Sequence, residues 1–151
     1  MSLDDIYRQV IMDHYQHPRH RGHLEHASVT IGLHNPTCGD EIVLDLRIED
    51  GIVQDASFEG QGCSISMAAA SMFTDRVRGL RVGSALSVAE TFKRLLHREE
   101  ADRETLGDLE ALEGVAKFPA RVKCATLVMQ AFEKGLRDYP KGEGANDGNE
   151  A

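Results

Sequence analysis

Apolar residues at Leu3, Ile6, Tyr7, Val10 and Ile11 recur at the spacing of one helical face, and the run stops at His17-Pro18, where proline disfavours a helical residue before it. Ser2 followed by Asp5 resembles a helix start, so the pattern predicts an amphipathic opening helix. RHRGHLEHAS at 19–28 lacks this periodicity and is expected to be a loop. The period then drops to two. Val29, Ile31 and Leu33 alternate with polar positions, Ile42, Leu44, Leu46 and Ile48 do the same, and IVQDASFEG at 52–60 forms a third run. EDG at 49–51 supplies a hairpin turn between the last two.

After GQG at 60–62 the period becomes helical again, with Ile65, Ala69, Met72, Phe73, Val77 and Leu80 on one face and Ser64 as cap. Ser87 and Glu90 fit a capping box for a helix that buries Val88, Phe92, Leu95 and Leu96. The charged stretch HREEADRETLGD precedes a short helical turn near LEALEG. Pro119 suits the first turn of a last helix with the stripe Val122, Ala125, Met129, Phe132 and Leu136, and Gly135 near its end. Strands early and helices late, without βαβ alternation, predict an α+β fold: a three-stranded antiparallel sheet with helices packed on one face. One domain is expected over 1–139, followed by a disordered, polar, glycine-rich tail over 140–151.

Composition agrees with one domain: 151 residues, 41% hydrophobic and 28% charged, can bury a sizeable core. Twenty-five acidic against 17 basic side chains give a net charge of -8, which disfavours nucleic acid and favours solubility or a basic partner surface. MSLDDIYRQV carries acids where a signal peptide needs bases, and no apolar run nears the roughly 18 residues of a membrane span. A cytoplasmic protein is expected, and its three cysteines are too few for a disulfide framework, leaving them as thiols or ligands.

Each cysteine falls at a junction between elements. Cys38 shares the turn NPTCGDEIVL with Asp40 across Gly39, Cys63 stands where GQGC hands over to a helix, and Cys124 borders the apolar stripe of the last helix. A buried cysteine also packs as a small hydrophobe, so core filling remains open for each. The separations match no zinc-finger spacing, and a metal reading depends on the fold bringing the residues together. Were it to do so, three thiolates and a carboxylate would make a tetrahedral zinc set with a formal charge of about -4, about -2 with the ion bound. Positive charge nearby would then help, from the helix N-terminus after Cys63 and from Arg121 and Lys123, although spacing alone favours an ordinary solvated face for these two. His14, His17, His20, His23 and His26 recur every third residue, but Pro18 and Gly22 break any helix that could align them, so 14–26 reads as a flexible polar surface. His34 reads as an outward strand residue rather than a ligand.

YRQVIMDHYQHPRHRG, NPTCGDEI, FEGQGCSISMAAASM and KFPARVKCATL resemble segments of the SufU family, within the IscU-like iron-sulfur cluster assembly proteins, in order over residues 3 to 138. The resemblance implies an α+β fold in which Cys38, Asp40, Cys63 and Cys124 converge on a metal. IscU-type scaffolds carry a histidine immediately before the third cysteine, where this chain has Lys123, and the connection from Gly79 to Lys117 is longer; both features are similar to SufU proteins. That branch implies a zinc-dependent sulfurtransferase accepting persulfide sulfur from SufS, a cysteine desulfurase that carries its own PLP, with the downstream Suf assembly machinery beyond it. On this carry-over Cys38 is the acceptor, Asp40, Cys63 and Cys124 stay on zinc, and Arg121 supports transfer. Two other readings remain: a scaffold for transient assembly of an iron-sulfur cluster, whose thiolate ligands suit clusters equally, and a structural zinc domain acting as an interaction module.

Overall fold

A ten-residue strand, β2 (Asp40–Glu49), lies between β1 (Val29–Asn35) and β3 (Ile52–Gln61), antiparallel to both. The computed structural model describes residues 3–36 and 39–138. Ser2 and the tail from 139 therefore fall outside the described residues. Asp50 and Gly51 both take positive φ (55° and 74°), as a two-residue hairpin turn between right-twisted strands requires. In register, Leu44 stands opposite Ile31 on one side and Phe58 on the other, so the alternation read from the sequence becomes one buried sheet face.

Helices cover that face. α2 (Ser64–Val77) packs against β3, and α4 (Pro119–Asp138) against β1 and β2. α1 (Leu3–Gln16) lies on α2, and α3 (Val82–Leu96) adjoins α4 and the 3-10 helix Gly107–Lys117. The predicted fold class and element order are thus present. Phe73 of α2 and Phe132 of α4 meet edge to face with centroids 5.1 Å apart. Gly135 falls in the last turn of α4, near its end as expected, and a Cβ there would stand 2.9 Å from Val29 Cγ1, so its absence lets the helix lie on β1. No helix among the described residues is long and apolar enough to cross a membrane.

Several local expectations are corrected. α2 does not bury one stripe but nearly its whole circumference, every residue from Ser66 to Thr74, because α1, α4, β3 and the 3-10 helix surround it. Its cap residue is Cys63, with Ser64 already helical. Ser87 is likewise inside α3 rather than its cap. The helix starts earlier, after Arg81, since backbone bonds from Val53 to Leu80 and from Val82 to Gly51 tie its entry to the β3 hairpin. The short turn expected near LEALEG is an eleven-residue 3-10 helix. Leu106, Leu109, Leu112 and Val115 are buried at a spacing of three, the repeat that puts them on one face at three residues per turn.

The histidine segment is also ordered. His14 is buried, with Nδ1 2.7 Å from Ser71 Oγ and Nε2 2.8 Å from Asp108 Oδ2, while Ser71 Oγ accepts the Arg19 N–H at 2.8 Å. One imidazole thereby joins α1, α2 and the 3-10 helix. His20 pairs with Asp75 and His23 with Asp45. Residues 20–22 bond to both sides of Phe58 along the outer edge of β3, so the segment covers a sheet edge instead of standing free. Its periodicity hid this because the partners lie far away in sequence.

Candidate metal centre

Three elements present one side chain each at the same end of the sheet. Asp40 is the first residue of β2, Cys63 caps α2, and Cys124 lies in the second turn of α4. A carboxylate oxygen and the two sulfurs all fall within 4.8 Å of one another, the single such group of metal-ligand type among the described residues. With zinc bonds of about 2.3 Å to sulfur and 2.0 Å to oxygen, a tetrahedral edge measures about 3.5–3.8 Å, so modest side-chain rotation suffices to close the group on an ion. The residues present therefore fit zinc in donor chemistry and spacing.

Local backbone explains the convergence. Asp40 is fully buried, and its Oδ1 accepts the Cys63 N–H at 2.9 Å; Oδ2 stands 4.0 Å from Cys63 Sγ. One carboxylate oxygen is thus fixed by the backbone and the other turned toward sulfur, the division expected of a ligating carboxylate. Two glycines make room. A Cβ on Gly60, whose φ is +155°, would run into the Glu41 carbonyl oxygen, and one on Gly62 would stand 2.9 Å from Asp40 Cγ and closer still to Oδ1. Gly39, at φ +73°, donates its N–H to the Asn35 carbonyl at 2.8 Å and so reverses the chain into β2. Cys124 is buried and Cys63 half-buried, which leaves the group an approach from solvent on the Cys63 side. Cys63 is the cap of a 14-residue helix and sits at the positive end of its dipole.

Cys38 lies outside the described residues. Arg121 and Lys123 are exposed in the first turns of α4, as the spacing argument has them, and His34 is exposed on β1, away from the group. Gly62→Ala is expected to push Asp40 aside and lower zinc retention at least tenfold in a chelator competition, with far-ultraviolet circular dichroism preserved; retention equal to that of the parent would show that the backbone relaxes around the methyl group.

This arrangement of sheet and helices has counterparts among solved structures. Residues 6–125 match the NifU-like N terminal domain family, and the chain belongs to it. Among its relatives, the zinc-dependent sulfurtransferase SufU of Bacillus subtilis (strain 168) is 51% identical over 146 residues, 96% of this chain and 97% of that one. The iron-sulfur cluster assembly scaffold protein IscU of Streptococcus pyogenes serotype M1 is 37% identical over 98% of this chain and 93% of its own. A solved structure, described as an iron-sulfur cluster assembly scaffold protein for the SUF system from Fervidobacterium islandicum AW-1, superposes with a TM-score of 0.83 at 29% identity, covering 89% of this chain and 99% of that chain. The fold and the family resemblance read from the sequence are both borne out.

Proposed function

We propose that the chain is a zinc-dependent sulfurtransferase of iron-sulfur cluster assembly, which accepts persulfide sulfur on Cys38 from a SufS-type, PLP-dependent cysteine desulfurase in the cytoplasm. The observation that carries this reading is the gathering of Asp40, Cys63 and Cys124 within 4.8 Å. Cys38 is two residues from Asp40, so covalent geometry limits the separation of their Cα atoms to about 7.6 Å. It is within reach as a fourth ligand. Zinc would supply a Lewis acid that keeps its thiol ligands deprotonated at neutral pH.

The chain's own groups divide the work. Asp40 and Cys124, both buried, and Cys63, tied by its backbone to Asp40, form the retained side of the site. Cys38 immediately precedes Gly39 in the sequence, a neighbour whose backbone freedom suits exchange. As thiolate it attacks the outer sulfur of the desulfurase persulfide: a new sulfur–sulfur bond forms on Cys38, the partner's breaks, and the partner cysteine leaves as thiolate. Arg121, exposed and three residues before Cys124, carries the positive charge that would attract the anionic sulfur. Downstream, the Suf assembly machinery would receive it. Lys123, where IscU-type scaffolds have histidine, favours this branch, as does the 51% identity to a protein named for zinc-dependent sulfur transfer.

The scaffold reading is favoured by one observation, the 37% identity to a protein named as an IscU scaffold. Metal content and desulfurase turnover of the purified protein separate the two. About one zinc per chain and at least a tenfold stimulation of turnover are expected; iron-sulfur absorbance without stimulation would establish the scaffold instead.

A further inference from the structure

Ser66 Oγ is buried without a hydrogen-bond partner, the single side-chain nitrogen or oxygen among the described residues in that condition. Other buried hydroxyls are all engaged: Ser71 with His14 and the Arg19 N–H, Ser57 with the Gly22 carbonyl, Thr74 and Thr126 with carbonyls one turn back. A polar atom in that position is disfavoured unless something accepts from it. Ala68, Ala69 and Ala70 follow in the same helix, fully buried, so packing alone is met by alanine here.

Its place in the fold supplies the acceptor. Ser66 is in the first turn of α2, three residues after the cap residue Cys63. Helical Cα–Cβ bonds tilt toward the N-terminus, so its side chain leans over the turn that Cys63 heads. In a capping box the residue at this position reaches back to the backbone N–H of the cap. Here that N–H is already given to Asp40 Oδ1, and Cys63 itself makes no side-chain cap bond. Sγ is the other polar atom of that residue; it is outside bonding geometry with Ser66 Oγ in this structure, so a bond between them needs the sulfur to turn as it closes on an ion. A neutral thiol is a weak acceptor and a thiolate a strong, charge-assisted one.

On the zinc reading proposed above, we infer that Ser66 is a positioning residue for the metal centre: its hydroxyl donates to the Cys63 thiolate once that sulfur has turned onto the ion. The bond spreads charge away from one of several crowded anions and fixes the sulfur's direction. It therefore holds Cys63 as a retained ligand, leaving transfer to Cys38.

Ser66→Ala tests this in the full-length chain. Zinc affinity is measured against a chromophoric chelator, the thiolate-to-metal absorption is recorded after cobalt substitution, and thermal unfolding is followed in metal-free protein. The expected result is about a tenfold weaker zinc affinity and a shifted cobalt band, with a metal-free melting temperature no lower than the parent's because an unpaired hydroxyl has been removed. Less than a threefold change in affinity with an unmoved band overturns the inference while leaving the zinc reading intact. An affinity loss matched by a lower metal-free melting temperature also overturns it, assigning Ser66 to packing. A parent chain that binds no zinc brings down both.

Discussion

Cys38→Ala is expected to abolish sulfur acceptance, lowering stimulated desulfurase turnover by more than about a hundredfold, because the proposed function makes this thiolate the nucleophile that takes up the sulfur. The same variant should retain zinc, more weakly, since Asp40, Cys63 and Cys124 are gathered without it and water can complete the coordination. Its melting temperature without metal should match the parent's. Mass spectrometry of the chain after incubation with the desulfurase and cysteine checks the step directly: a 32 Da adduct mapping to Cys38 in the parent, and none in the variant. An adduct on Cys63 would reverse the roles assigned to the two residues.

Asp40→Ala should have the second largest effect, on two quantities at once. The carboxylate is fully buried and accepts the Cys63 N–H, so its removal takes a proposed metal ligand and also leaves the amide of the residue that caps α2 without its partner. The lost acceptor is expected to cost about 1–3 kcal/mol of stability in metal-free protein, and the lost ligand more than about a hundredfold in zinc affinity. Asp40→Asn separates them. An amide oxygen can still accept from Cys63, so urea denaturation should recover most of the stability, while zinc affinity stays low for want of an anionic donor. Full recovery of both would show that Asp40 serves the backbone alone.

The sheet was legible because its signal is local: three alternating runs and an Asp-Gly turn leave one register that buries Ile42, Leu44 and Leu46 together. Helix starts were less so. Ser64 and Ser87 have the right chemistry for caps, yet the bonds linking Gly51, Val53, Leu80 and Val82 determine where α3 begins, and those partners lie 27 to 31 residues apart along the chain. His14 shows the same limit, since nothing within ten residues announces Ser71 or Asp108 as its partners. At the centre, the cysteines and Asp40 could be singled out by residue type and by resemblance to SufU. Gly60 and Gly62 could have been found too: two glycines flanking one residue ahead of a cysteine mark a close backbone approach, which the structure places against Glu41 and Asp40. Ser66 carried no signal of its own, because a serine in a run of small residues reads as packing until its hydroxyl is seen to lack a partner.

Because Asp40, Cys63 and Cys124 are separated by 23 and 61 residues and meet only through β2, α2 and α4, an ion held among them ties two long loops of the unfolded chain. Zinc would thus act as a cross-link, raising the unfolding temperature in proportion to the logarithm of its free concentration and leaving the protein as it unfolds. The centre would double as a gauge of intactness: a chain that has lost the packing of α4 against the sheet loses its grip on metal, and with it the means to take on sulfur.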